Sequence, residues 1–216
     1  ADGLVIDKVY HPYVDAMEME LEYRAVFQEE QRGLTTPDQI HQISLGAAIG
    51  DRFFAELNAK GTRNRHGDFD PGTWETEVKW QLTEQGQYAV DWGLLMEFEH
   101  GIELDTEEAT VALLAEKEWQ KWSGTANLKV IREWGDDISS ETETGLVMQM
   151  RYRHTRALEP GLELYSGQNS LGLGPVLQGT FITGIRKSLH YEAGLILGLD
   201  GDSANQTWRV LFEYEF

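Results

Sequence analysis

Cysteine is absent from the 216 residues, which excludes disulfide frameworks, cysteine metal sites and thiol chemistry. Proline is rare, at 5 residues, and no low-complexity tract or second domain is visible. Basic residues are in deficit: 18 Lys+Arg stand against 37 Asp+Glu, a net charge of −19. A nucleic-acid binder needs a basic face to displace counterions, so that class is excluded. No apolar run approaches the roughly 18 residues of a membrane-spanning helix. The chain is 41% hydrophobic and 11% aromatic, too rich in both for an acidic disordered chain. By composition alone this is an ordinary acidic soluble protein.

The periodicity says otherwise. Met17, Met19, Leu21, Tyr23, Ala25 and Phe27 alternate with Glu18, Glu20, Glu22, Arg24 and Gln28, with Val26 the one exception. This is the period of a strand with one apolar and one charged face; a helix would scatter the same apolar residues around its cylinder. The pattern recurs at 74–82, 88–98, 144–152, 191–199 and 208–216. Weaker versions fall near 40–49, 53–60, 109–117, 123–133, 161–166 and 176–186. Twelve strands result, with ten as the alternative count. Short connections at Gly50–Arg52, Thr83–Gln87, Glu118–Lys121, Thr155–Pro160 and Lys187–His190 alternate with longer polar ones. Strands of about 9–12 residues suit a bilayer crossed at a tilt. The outward face carries Trp, Tyr and Phe toward the strand ends, where interfacial belts belong. The expectation is all-β: an up-and-down antiparallel transmembrane barrel over 16–216, preceded by an irregular periplasmic lead-in over 1–15.

The last segment, Trp208-Arg-Val-Leu-Phe-Glu-Tyr-Glu-Phe216, has aromatics at alternate positions and a terminal Phe. It closely resembles the closing-strand signal of Gram-negative outer-membrane β-barrels. That resemblance implies a bacterial outer-membrane location, recognition by the barrel assembly machinery through Trp208–Phe216, and contact with lipid and lipopolysaccharide. Both termini are then periplasmic, and Ala1-Asp2-Gly3 reads as a mature end left after signal cleavage. No helical or coiled-coil segment is available for assembly, so a monomer is expected. In size and strand count the chain also resembles twelve-stranded porins specific for acidic sugars. The interiors of those porins are dominated by basic residues, whereas this one is acid-rich, which argues against acidic oligosaccharides as cargo.

Twelve strands give a backbone radius of about 12 Å, so the lumen is either a narrow channel or filled. The inward face is assigned Glu18, Glu20, Glu22, Arg24, Glu75, Glu77, Lys79, Asp91, Glu97, Glu143, Arg151, Arg153, Glu192, Arg209 and Glu213. Acids outnumber bases in this set. Two readings stay open: these charges line a wet pore for small polar or cationic solutes, or they pair across the lumen and plug it, leaving a structural barrel that anchors a partner. The competing class is an outer-membrane enzyme. A serine hydrolase would draw on Ser166 or Ser170 with a histidine among His66, His100, His154 and His190. A protease would draw on His66 with Asp68 or Asp70. No catalytic residue is assigned. Metal ligation by His66-Gly-Asp68-Phe-Asp70, Asp136-Asp137 or Asp200-Gly-Asp202 is set aside in favour of solvated acidic loops, and no cofactor is expected.

Overall fold

In a computed structural model, the protein is described over residues 6–29, 39–63, 69–102, 105–136, 138–201 and 203–216, the side chain of Pro71 excepted. The strands are β1 Met19–Gln28, β2 Gln39–Ile49, β3 Phe53–Arg63, β4 Phe69–Gln81, β5 Asp91–Gly101 and β6 Thr106–Trp119. They continue with β7 Trp122–Gly135, β8 Glu141–Tyr152, β9 Glu159–Ser166, β10 Leu171–Gly184, β11 Lys187–Gly198 and β12 Gln206–Glu215. Each pairs antiparallel with its neighbours in sequence, and β12 pairs β1, so twelve strands form one closed barrel. The closing seam runs from Glu20↔Glu215 to Gln28↔Thr207, and Phe216 N–H adds a bond to the Met19 carbonyl at 2.8 Å.

The alternation in sequence becomes an inside and an outside. Leu21, Ile43, Leu45, Leu57, Leu113, Val130, Met148, Leu162 and Leu197 are exposed on the outer face, where a bilayer would cover them. Their neighbours Glu22, Ser44, Asn58, Glu116, Gln149, Glu163 and Gln178 are buried on the inner face. Outward aromatics cluster at the two rims. Phe53 stacks on Trp80 at 5.5 Å, Trp122 meets Tyr152 at 4.9 Å and Phe181 stacks on Tyr191 at 5.8 Å at one end. Phe98 meets Trp134 at 6.4 Å at the other.

One strand start differs from the pattern. The alternation carries β5 back to Tyr88, but the strand begins at Asp91. The Asp91 carboxylate accepts the Gly86 N–H at 2.9 Å, and Thr83 Oγ1 accepts the Trp92 N–H at 2.8 Å. These bonds fold 83–90 into a turn rather than letting Tyr88 and Val90 extend the ladder. The difference between short and long connections is also smaller than the pattern suggests. The β5–β6 hairpin closes across 102–105, while the connection from β4 to β5 takes 82–90.

Where β10 meets β11, the wall tolerates no side chain at Gly174: a Cβ there would lie 1.8 Å from the Leu195 carbonyl oxygen. Gly174→Ala is therefore expected to destabilise the barrel by at least about 1–3 kcal/mol. The measure is the fraction with heat-modifiable gel mobility. Gly201→Ala, where nothing lies within 4 Å of an added Cβ, serves as the control and should leave that fraction unchanged.

Candidate functional site

The inner wall carries polar residues bound to one another. Arg209 is fully buried and donates to Glu163 at 2.7 Å and Glu192 at 2.5 Å. Glu163 in turn accepts from Gln149 at 2.8 Å and from the Tyr165 hydroxyl at 2.8 Å. Asn58 donates to both Glu75 and Glu77 at 2.7 Å, and Lys60 bridges Glu75 and Glu99. Lys129 lies 3.6 Å from Glu97. A charge inside the lumen with such partners avoids the roughly 2–4 kcal/mol that Arg or Lys would cost facing lipid at midplane.

The segment before β1 lies inside the barrel. Residues 15–18 form a turn closed by Glu18 N–H to the Asp15 carbonyl at 3.1 Å. Met17 sits there at φ 65°, in the left-handed region that L side chains rarely adopt. The turn sends the preceding chain back up the lumen as an extended strap, and successive side chains leave it on opposite sides. Val9 packs with Val147, Tyr165 and Ile196. Tyr10 packs with Leu95, Ala112 and Leu114, and its hydroxyl donates to Glu77 at 2.9 Å. Lys8 reaches Glu22 at 2.8 Å and Glu56 at 3.7 Å. Asp7 pairs with Arg24, His11 with Glu116 at 2.6 Å, and Tyr13 donates to Asp91 at 2.9 Å. Pro12 crosses directly over Gly93, where a Cβ would fall 3.0 Å from the Pro12 Cα.

The strap divides the lumen into two vestibules. One, about 350 Å³, opens at the end of the shorter turns and is lined by Glu18, Glu20, Glu56, Glu213, Glu215, Lys79 and Arg151. The other, about 360 Å³, opens at the opposite end among Glu97, Glu99, Glu108, Glu133, Glu141, Glu143, Lys60 and Lys129. In the first, carboxylate oxygens of Glu20, Glu22 and Glu213 lie within 4.8 Å of one another, an arrangement that favours any cation reaching it. Burial pushes the Glu18 carboxyl at this rim up. Burial, with the nearby Glu116 and the bond to Asp91, pushes the Tyr13 phenol well up.

Of the residues assigned inward from the sequence, Glu20, Glu22, Arg24, Glu75, Glu77, Asp91, Glu143, Glu192 and Arg209 are buried inside. Lys79, half-buried, lies over the Phe54 ring at 5.3 Å. Arg151 sits between Glu116 at 3.7 Å and Glu159 at 3.4 Å. Glu97 and Glu213 are half-buried on the same face. Two positions fall just outside the strands. Glu18 precedes β1, and Arg153 follows β8 and pairs with Glu118 at 3.0 Å in the neighbouring turn. Sequence reasoning treated 1–15 as a lead-in without assigning it contacts in the lumen. It therefore missed Asp7, Lys8, Tyr10 and His11, and the wall groups Asn127, Gln81 and Tyr165 that bond to the strap. A signal was present. Leu94-Leu-Met96, Val111-Ala-Leu-Leu-Ala115, Leu146-Val-Met148 and Leu195-Ile-Leu197 are apolar on both faces, so something apolar had to fill the inside at those levels.

Among the described residues, those considered for catalysis are not brought together. His100 bonds to Glu107, His190 to Thr180 and Glu192, and His154 stacks on Tyr152. None of these contacts is to Ser166 or Ser170. His66, Asp68, Asp137 and Asp202 lie outside the described residues.

No protein-family model matches the chain, and no curated protein matches it. Solved structures do match. The COG4313 outer membrane channel from Pseudomonas putida F1 superposes with a TM-score of 0.64 at 11% identity, covering 98% of this chain and 100% of that one. A KdgM porin in complex with disordered oligogalacturonate gives 0.59 at 13% identity, covering 91% and 99%. The NanC porin gives 0.55 at 11%, covering 91% and 98%. The fold, a closed twelve-stranded antiparallel barrel, is similar to that of these outer-membrane channels and porins. At these identities the likeness extends to the fold alone.

Arg209→Met would leave Glu163 and Glu192 buried without their counter-ion. A loss of about 3–5 kcal/mol of stability is expected, read as a lowered unfolding midpoint in detergent. Adding Glu163→Gln and Glu192→Gln should restore most of it.

Proposed function

We propose that this protein is an outer-membrane channel for small polar or cationic solutes, closed in its resting form by its own N-terminal strap. The observation that carries this reading is the pair of acid-lined vestibules separated by a single extended segment of chain. The porin and channel names of the similar structures support it. The acid excess on the wall favours cations. The shared fold and the aromatic rims favour a bacterial outer membrane, with the shorter turns and the strap's turn on the periplasmic side. Under the same reading Trp208–Phe216 is the segment that the assembly machinery recognises, the outer face meets lipid and lipopolysaccharide, and the barrel works as a monomer.

The strap is held by terms of similar size to those that oppose it. Ordering each residue costs about 1–2 kcal/mol. A buried hydrogen bond returns about 1 kcal/mol, and a buried Val or Tyr side chain about 1.5–3 kcal/mol. Removing two anchors should therefore free it. In planar bilayers under a salt gradient, the wild type is expected to be silent or to flicker briefly. The full-length Lys8→Glu/Tyr10→Ala variant should give steady, cation-selective conductance. A correctly folded double variant that never conducts would refute the channel and leave a permanently filled barrel.

A further inference from the structure

We propose that the lumen is a binding site for short, extended peptides carrying a basic, an aliphatic and an aromatic residue in succession, and that the strap occupies this site in cis. As a statement of cargo this rests on the channel reading; as a statement of binding it does not.

The wall recognises peptide backbone. Asn127, fully buried, accepts the Tyr10 N–H at 2.8 Å and donates to the Tyr10 carbonyl at 2.8 Å. One side-chain amide thus satisfies both backbone groups of a single residue, as a neighbouring strand would. Gln81 Oε1 accepts the Val14 N–H at 2.7 Å, and the Tyr165 hydroxyl donates to the Asp7 carbonyl at 2.7 Å. These contacts involve no side chain of the strap, so any extended peptide in the same register can make them. A wall serving only to pass hydrated ions has no use for such spacing.

Side-chain subsites are built around that backbone line. Glu22 and Glu56 receive the Lys8 ammonium. Two positions on, Leu95, Ala112 and Leu114 receive an aromatic ring whose hydroxyl is met by Glu77. On the opposite side Val147, Tyr165 and Ile196 receive a β-branched residue. Gly93 leaves room for the backbone to pass. The motif selected is a basic residue, an aliphatic one, then an aromatic one. Glu22 and Glu56 suit the basic position, and Arg24 meets the acidic residue that precedes it in the strap, Asp7. Among the described residues, the strap continues covalently into the wall through the turn at 15–18, and its other joins are non-covalent contacts that a separate peptide can reproduce. Such a peptide competes against an effective concentration of roughly millimolar for the tethered strap.

The test uses a fluorescein-labelled synthetic peptide of residues 6–15 and fluorescence anisotropy, with the full-length Lys8→Glu/Tyr10→Ala protein in detergent. Saturable binding is expected, about ten-fold weaker or worse for the wild type, whose site is filled by its own strap. Adding Asn127→Ala to the variant, or placing Glu at the lysine position of the peptide, should each weaken it by about ten-fold. No saturable binding to a folded variant, or equal affinity for a scrambled peptide, would overturn the proposal. If that variant does not fold, Val9→Cys in the otherwise wild-type chain supplies its only thiol. Peptide at millimolar concentration should then speed thiol modification, and an unchanged rate overturns the proposal. Binding with silent bilayers upholds the peptide site and overturns only the channel. Conductance without binding does the reverse.

Discussion

Everything in this molecule depends on closure of the sheet. In lipid no water is present to satisfy backbone N–H and C=O groups, so a spanning sheet must have no free edge. Pairing of β12 with β1 achieves this, and it forces the side chains into two populations. Alternate residues must face lipid and the remainder must face one another across a narrow lumen. Carboxylates in the turns, such as Asp51 and Glu84, stay exposed, whereas strand carboxylates such as Glu22, Glu75, Glu163 and Glu192 are placed inside and bound there.

The wall shows how that crowding is managed. Arg209 between Glu163 and Glu192, and Lys60 between Glu75 and Glu99, each serve two carboxylates. Neutral amides take up others, as Asn58 does for Glu75 and Glu77. These networks stiffen the wall because each group has a specific partner, and they leave acidic vestibules at both ends. The strap adds Lys8 where Glu22 and Glu56 converge, so it also contributes to charge balance.

The strap is held in the lumen by a few wall residues. The inside is not uniformly polar. Leu95, Ala112, Leu114, Val147 and Ile196 form apolar patches at the level of Val9 and Tyr10. Left facing water they would weaken the barrel; covered by an extended peptide they hold it in place. Apolar patches, backbone-directed amides and acidic pockets are the features that the strap itself meets in this lumen.

Much was legible in the sequence. Period two indicated twelve strands, with ten left open until the closed barrel was seen, and the facing of Glu75, Glu77, Glu143, Glu192 and Arg209, because the pleat sends alternate side chains to opposite faces regardless of what lies beyond. Strand ends were less legible. Tyr88 continues the alternation, yet the Asp91 carboxylate captures Gly86 and turns the chain. The strap's location was decided only in three dimensions. Its alternation fits any extended segment. What places it in the lumen is the convergence of Asn127, Gln81, Glu22, Glu77 and Tyr165 from four different strands. A local pattern determines which way a residue points. Which distant residues share a cavity depends on how the whole sheet curls and closes.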